Sequence, residues 1–596
     1  MLERLSQRLG SRTEKVTGGA VVARMLKAEG VDHVFGIIDG TYFGFYSALP
    51  GLGIRQVTPR HETCAAHMAG AYARLTGTLG VCMASNGPGV ANILPGVAVE
   101  QAEGNRVLLI TSGRRDGTVA PDRGGTYQSF PQVEVTGAMC KFSCRVPSFG
   151  RIPEIMRKAL RLSHTGRPGV VHVDVPEHIM NGTFAIPRGW QSKPSQYRAD
   201  SRMSASDDQV ERAAELLVNA RQPLVHAGSG VIHAQCGAAL TELAELLHMP
   251  VTTSWAGRGA TAETAPWAIP MIAVELTTKV RNDADVVLVL GSRLGETDWW
   301  GKAPYWARPS KQQMIQVDID PAMIGVHRPV ASGIVADVGR FLDQLLVAVR
   351  ERASRIDVTP RRAAIARYHD AWRAERLRLD AKLADVGRPL HPAHVGHTCR
   401  RELGDDAVLV FDGGNATIWG QFYHEVRVPN TVLWTAHFGM LGAGVAQALG
   451  AQVARPRATV ACIIGDGAMG FHPQEIETAV RCELPVIYLV MCDRQWGMVK
   501  INQSFAMKPV KTLVRKHLEP HENIQADLGE IRFDALAESM GAHGERAGTP
   551  EELTNALRRC VALRRPCVIH VDVDPVKHMW APALKHFKDM HAEPRG

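Results

Sequence analysis

The sequence predicts an α/β protein of three doubly wound parallel-sheet domains. Short continuous apolar runs rich in β-branched residues recur along the chain, the pattern of strands buried on both faces of a parallel sheet. Helical stretches separate these runs at βαβ spacing, and glycine-rich turns follow many of them. A length of 596 residues leaves room for about three or four domains.

Taken in order, residues 1–14 read as an N-terminal arm. Residues 15–190 hold the strands "HVFGII", "GVCMAS", "RVLLITS" and "GVVHVDVP", and the Pro-rich "AIPRGWQSKPSQYRADSR" then reads as a linker. Residues 205–350 repeat the alternation with "PLVHAGSG", "MPVTTSW", "DVVLVLGSR" and "QQMIQVDID". A charged helical connector over 352–386 leads to residues 387–574, with "AVLVFDGG", "TVACIIGDG", "PVIYLVM" and "PCVIHVDVD". Residues 575–596 form a tail.

The chemistry concentrates in GDGAMGFHPQEIETAVRCELPVIYLVMCDRQWGM, which begins at Gly465. "TVACIIG" and "LPVIYLVM" are strands, and "PQEIETAVRCEL" is a helix of about three turns with Ile476, Ala479 and Val480 on one side. A βαβ crossover makes the two strands parallel. Asp466 and Asp493 then both fall at carboxyl ends of strands, where open α/β sheets bind ligands. Two carboxylates beside a helix N-terminus suit a hard divalent cation together with a phosphate. Taken alone, Gly-Asp-Gly is more often a simple turn.

Composition excludes other classes. At 45% hydrophobic and 21% charged residues, the chain is an ordinary globular protein, and a net charge of +8 over this length does not imply nucleic acid. No run of ~18 apolar residues reads as a membrane span, the N-terminus lacks an apolar signal core, and the expectation is a cytoplasmic protein. Eleven cysteines scattered through apolar segments fit buried, reduced thiols.

With "RHE" near the N-terminus, GDG, and an oxygen ligand 27 residues after its aspartate, the chain resembles thiamine-diphosphate-dependent enzymes of the acetohydroxyacid synthase, pyruvate oxidase and 2-hydroxyacyl-CoA lyase group. The resemblance runs from about residue 15 to 574 and includes "GPGVANILPGVAVEQAEGNRVLLITS", "YQSFPQVEVTGAMCKFSCRV", "GRPGVVHVDVP", "IQVDIDP" and "HFGMLGAGVAQALGA". It implies a pyrimidine-binding first domain, a central nucleotide-binding-like domain and a diphosphate-binding third domain. It makes Asp466, Asp493 and the Gln495 carbonyl the magnesium ligands. Gly465, Gly467, Ala468 and Met469 would bring backbone to the diphosphate, with Gly414 and Asn415 on its other side. Relatives usually carry Asn-Asn at 492 and 493, where this chain has Cys-Asp. Cys492 is a poor ligand for magnesium and is expected to be packed, whereas Asp493 keeps an oxygen and adds a charge.

By the same resemblance Glu62 hydrogen-bonds the cofactor's aminopyrimidine ring and promotes loss of the thiazolium C2 proton. A buried carboxylate suits that proton sharing, although a glutamate at a helix start needs no such role. Leu441 would wedge between the cofactor rings, with Gly439 and Leu441 presenting backbone to the pyrimidine; otherwise Leu441 is core. Gln128 falls where relatives place an active-site glutamine or glutamate, against a surface-loop reading. In the central domain Gly228, Arg293 and Asp318 are candidate contacts for ADP or FAD, although glycine loops there are often only tight turns. A homodimer or homotetramer with active sites at subunit interfaces is implied.

Carbon–carbon bond cleavage or formation beside a carbonyl is the reaction class. "YQSFPQVEV" and "CKFSCRV" resemble 2-hydroxyacyl-CoA lyases and "GSRL…IQVDIDP" also oxalyl-CoA decarboxylases, whereas "RQWGMVK" with GDG resembles acetohydroxyacid synthase and benzaldehyde lyase; the expectation is a 2-hydroxyacyl-CoA lyase-like enzyme, with an acetolactate synthase-like 2-keto acid decarboxylase or carboligase as the alternative. The substrate is correspondingly an acyl-CoA, a 2-keto acid or an aldehyde. A catalytically silent regulatory paralogue is the alternative from another class, and retention of Glu62 and Asp466 argues against it. Asp39 stands where relatives carry glycine or an apolar residue, and is read either as a substrate-facing group or as a turn residue. Lys577, Lys585, Lys588 and Trp580 give the tail the makings of a lid over coenzyme A, against a plain solvated tail.

Overall fold

The computed structural model describes residues 13–119, 121, 123–199, 201–354 and 356–590. The chain forms two compact units. The first holds residues up to Ser201 together with Ala446–Pro456 and His472–Leu484, and the second holds Arg202–Val445, Arg457–Phe471 and the remainder from Pro485. Among the described residues the strands make three all-parallel sheets and one antiparallel ribbon.

The ribbon joins β1 (Thr13–Thr17) to β8 (Thr183–Pro187) in the first unit. Thr13 and Glu14 of the expected arm therefore lie in a strand, and residues 1–12 of that arm lie outside the described residues. The first parallel sheet contains β2 (His33–Gly36), β3 (Arg55–Val57), β4 (Gly80–Ala84), β5 (Val107–Gly113), β6 (Phe142–Arg145) and β7 (Val170–Pro176), in the order β3-β2-β4-β5-β7-β6. In the second unit β9 (Pro223–Ala227), β10 (Val251–Thr253), β11 (Val286–Leu290), β12 (Gln313–Asp318) and β13 (Ser332–Val335) run β10-β9-β11-β12-β13. The third sheet contains β14 (Val408–Asp412), β15 (Val432–Leu433), β16 (Val460–Gly465), β17 (Val486–Cys492), β18 (His543–Ala547) and β19 (Cys567–Asp572), in the order β15-β14-β16-β17-β19-β18.

The three sheets share one device. In each, the second strand is laid on one side of the first and the third strand on the other, so the connections leave the first and third strands in opposite directions. That point of divergence opens a crevice at the carboxyl ends of the two strands. It falls between β2 and β4, between β9 and β11, and between β14 and β16. Inner strands such as β4, β11 and β17 are buried at every position, as the unbroken apolar runs require.

The helix between β16 and β17 is shorter than expected. It covers only Glu475–Arg481, because Asp466–Met469 forms a separate short turn and Pro473 lies before the second helix begins. Ile476 and Ala479 are buried, whereas Val480 is half-buried. The charged connector region contains the helix Thr359–Asp380. There the Arg361 guanidinium is buried and donates to the carbonyls of Leu247, Leu217, Val218 and Ala220, which fastens the helix to the central sheet's helices.

Beneath the central crevice lies a buried charge cluster. Asp298 is 3.0 Å from Arg281 and 3.2 Å from His226, and Ser292 donates to it at 3.2 Å. Burial works to raise the Asp298 carboxyl, but His226, Arg281 and Ser292 more than offset this and hold it at about 2. Asp298→Ala would leave Arg281 and His226 buried without their counter-charge. We expect it to destabilise the protein by about 3–5 kcal/mol, read as a lower midpoint of thermal unfolding.

Candidate active site

At the β14/β16 crevice two glycine turns abut. β14 ends on Asp412, whose Oδ1 accepts from the Gly413 amide at 2.5 Å and whose Oδ2 accepts from the Gly444 amide at 2.7 Å. Gly413 has φ +92°, a conformation that disfavours a side chain, and a Cβ there would lie 3.4 Å from the Gly465 nitrogen. Gly414 then leads into the helix Asn415–Tyr423. Asn415 is 4% exposed, and among the described residues neither its side-chain nitrogen nor its side-chain oxygen has a hydrogen-bond partner. A buried, unpaired carboxamide points to a ligand.

Asp466 follows β16 and Asp493 follows the neighbouring parallel strand β17, with Gly465 level with Met491. Asp466 accepts from its neighbour Gly467 and from Arg494, both backbone amides at 2.7 Å. Burial, then the charge of Asp493, raise the Asp466 carboxyl to about 6 against the pull of those amides. Two carboxylates opposing one another in this way call for a cation. Asp493 is 7% exposed. Its Oδ2 meets His578 Nδ1 at 2.7 Å and Gln495 Nε2 at 3.0 Å. A Cβ on Gly467 would lie 2.6 Å from the Trp496 ring, and one on Gly497 would lie 2.5 Å from Asn415 Nδ2 and 3.5 Å from Asp493 Oδ2. Asn415 and Trp496 thus close on backbone too tight for side chains. Ala468 and Met469 are buried behind the turn. Cys492 is packed, its sulfur 3.5 Å from His570 Nδ1. Leu441 is half-buried, between exposed Gly439 at φ +65° and Gly442 at φ +86°.

The β2/β4 crevice of the first unit collects the other candidates. Glu62 opens the helix Glu62–Thr76, is half-buried, and accepts from Asn92 Nδ2 at 3.1 Å. A Cβ on Gly89 would lie 3.5 Å from its Oε1. The fully buried carboxylate at this helix start is Glu475, which the sequence reading missed. It accepts from the amides of Arg60 and His61 at 3.0 Å each, and burial pushes its carboxyl up. Gln128 is exposed with φ +52°, and its carbonyl accepts from Asn86 Nδ2 at 2.9 Å. Its neighbour Gln132 is the buried glutamine, donating to Ser112 O and Asp174. Asp39 caps a short helical turn, its Oδ1 accepting from Thr41 N at 2.8 Å, so the turn reading holds geometrically. Asp39 and Glu62 both face Tyr42, whose hydroxyl is pushed up first by burial and then by those two charges.

At the β9/β11 crevice Gly228 and Gly291 press backbone against backbone: a Cβ on Gly228 would lie 2.2 Å from the Gly291 oxygen. Arg293 is half-buried and Asp318 buried, with Asp318 Oδ1 accepting from Asp320 N at 2.9 Å.

Residues 16–135 match the N-terminal TPP binding domain of thiamine pyrophosphate enzymes, residues 210–345 their central domain, and residues 412–571 their C-terminal TPP binding domain. The chain belongs to the thiamine pyrophosphate enzymes. It is 30% identical over 582 residues to acetolactate synthase isozyme 3 large subunit of Escherichia coli, covering 96% of this chain and 97% of that one. Acetolactate synthase large subunit of Haemophilus influenzae is 27% identical over 579 residues, covering 96% and 97%. Probable 2-ketoarginine decarboxylase AruI of Pseudomonas aeruginosa is 30% identical over 503 residues, covering 84% and 86%.

The residues present fit thiamine diphosphate and its cation. The unpaired Asn415 amide, the opposed carboxylates and the glycine cradle at Gly413, Gly467 and Gly497 are what an anionic group held through a metal requires. Among the described residues no helix of the enzyme is long and apolar enough to cross a membrane.

The tail's basic and aromatic side chains have partners within the described residues. Lys577 pairs with Asp385 at 2.8 Å and Asp574 at 3.2 Å, Lys585 pairs with Asp589, and Lys588 lies over the Phe505 ring. Trp580 donates to Lys516 O at 2.7 Å and carries the Lys516 ammonium over its ring. Residues 591–596 of the tail lie outside the described residues. What the sequence reading missed at the site are the side-chain bonds to Asp493 from Gln495, in the loop after β17, and from His578, in the tail.

Gly467→Ala drives a methyl into the Trp496 ring and displaces the turn on which the diphosphate would rest. Calorimetry is expected to show at least ~10-fold weaker thiamine diphosphate binding, with the melting midpoint of the cofactor-free enzyme little changed.

Proposed function

We propose that this enzyme is an acetolactate synthase-like 2-keto acid decarboxylase or carboligase. The observation that carries the reading is its likeness to acetolactate synthase large subunits over nearly the whole of both chains. Internal pairing of the tail lysines supports it over the 2-hydroxyacyl-CoA lyase reading. When bound, thiamine diphosphate supplies a nucleophilic carbon and an electron sink for bond cleavage beside a carbonyl.

In this reading Asp466, Asp493 and the Gln495 carbonyl hold magnesium. Gly465, Gly467, Ala468, Met469, Gly414 and Asn415 line the diphosphate, and Gly439 and Leu441 the pyrimidine. Glu62 exchanges a proton with the pyrimidine, oriented by Asn92, while the helix start beneath it is tied to Glu475. Gln128, its carbonyl anchored on Asn86, addresses the substrate. Gly228, Arg293 and Asp318 take part in an ADP or FAD site; the contact of Gly228 with Gly291 supports a tight turn as the first service of that glycine. Residues 15–190, 205–350 and 387–574 are the working domains, in a homodimer or homotetramer. Eleven free cysteines fit a reducing cytoplasmic setting.

Asp39 is half-buried beside Tyr42, on the side of the first unit that also holds Glu62, and favours keto acids without a second anionic group. With one relative named a probable 2-ketoarginine decarboxylase, a guanidino keto acid belongs in the screen beside pyruvate.

The test is incubation of purified enzyme with thiamine diphosphate and magnesium, then with keto acids, aldehydes and 2-hydroxyacyl-CoAs. Carbon dioxide release and coupled products are followed by mass spectrometry. Release from a keto acid is expected. Turnover of acyl-CoA substrates alone would reverse the assignment. On the substrate so identified, Glu62→Gln is expected to keep cofactor binding and lose about 10²–10⁴-fold in turnover. Near-normal activity would remove Glu62 from the chemistry.

A further inference from the structure

An asparagine at position 493 would bring both an oxygen and its own hydrogen-bond donor. An aspartate brings only acceptors, and buried at the end of β17 it needs donors from elsewhere. The chain supplies two. His578 Nδ1 lies 2.7 Å from Asp493 Oδ2, and since a carboxylate only accepts, Nδ1 carries the hydrogen. Gln495 Nε2 donates to the same oxygen at 3.0 Å and to Pro575 O at 2.8 Å.

His578 is not a sequence neighbour. It belongs to the helix Pro575–Met579, which Asp574 caps through the amides of Val576 and Lys577. Trp419, from the helix that begins at Asn415, donates from Nε1 to the His578 carbonyl at 2.8 Å. The imidazole is therefore held from both sides, by the carboxylate it meets and by the backbone that carries it. It is also tied to the helix whose first residue is the unpaired Asn415.

We infer that His578 is a positioning residue for the metal site: it commits one oxygen of Asp493 to the protein, fixes the plane of the carboxylate and leaves the other oxygen for the divalent cation shared with Asp466. The inference rests on the proposed role of Asp493 as a magnesium ligand. Outer partners of metal-ligating carboxylates act in this way, and their loss typically weakens metal binding without abolishing the fold. Here the partner compensates for a ligand change that would otherwise leave a buried carboxylate under-supplied with donors.

The test is calorimetric titration of the full-length protein with thiamine diphosphate at fixed magnesium, and with magnesium at fixed thiamine diphosphate, alongside melting of the cofactor-free protein. His578→Ala is expected to weaken both titrations together by about 10–100-fold. His578→Asn, whose Nδ2 can donate from nearly the same place, is expected to keep most of the affinity. With Asp493→Asn as background, His578→Ala is expected to cost far less, because the asparagine carries its own donor. Should His578→Ala fail to fold, His578→Leu, which fills the space without a donor, takes its place. Unchanged affinity in the donor-free variant overturns the inference. So does an equal loss in both backgrounds, or a loss in His578→Asn as large as in His578→Ala, since either marks a packing role. Asp493→Ala separates the two levels. If it leaves magnesium and cofactor affinity intact, the ligand assignment itself falls; if it weakens both while His578→Ala does not, only the role of His578 falls.

Discussion

The constraint on which this protein depends is the divergence of chain direction at the first and third strands of each parallel sheet. Where two adjacent strands send their following segments to opposite faces, no connection covers the gap at their carboxyl ends, and backbone amides and side chains are left facing it. All three sheets are built this way. The β14/β16 gap receives the GG and GDG turns, the β2/β4 gap receives Glu62, Asp39 and the Asn86–Gly87 turn, and the β9/β11 gap receives Gly228 and Gly291. The same topology gives different sites because the residues placed at the divergence differ.

At the β14/β16 gap charge and space are arranged against the isolated chain. Asp466 and Asp493 repel one another, and the carboxamide of Asn415 lies buried without a partner among the described residues. Such features are unfavourable in a protein alone and become favourable when a cation and a phosphate group supply the missing partners. The glycines serve the same end by a different route. At Gly467 and Gly497 even one methyl would meet Trp496 or Asn415, so the backbone approaches as closely as it can.

The first unit separates two tasks that a sequence motif merges. "RHE" suggests one glutamate doing everything at the start of a helix. In the structure Glu475 takes the amides of Arg60 and His61, anchoring that start, and Glu62 is half-buried with Asn92 donating to its carboxylate. In the proposed reading Glu62 exchanges a proton, a role that suits a lightly held carboxylate, and the tight hydrogen bonding falls to its neighbour.

The sequence by itself determined the inner strands and the order of the parts. β2, β4, β5 and β7 of the first sheet, and β14, β16, β17 and β19 of the third, are all marked by apolar runs, because strands covered on both faces admit few polar residues. The edge strands β3, β6, β13 and β18 were not legible: partly solvated and short, they carry mixed sequences such as "RQV" and "HGERA" that no periodicity distinguishes from loop, and β15 is buried but only two residues long. Asp466 and Asp493 could likewise be placed from sequence, since a strand's end fixes where the next residue stands. Only the tertiary structure brought His578 across 85 residues to Asp493, set Glu475 under the start of the Glu62 helix and bound Lys577 to Asp385. Those pairings depend on where separate elements pack, and local pattern holds no record of a partner so distant in the chain.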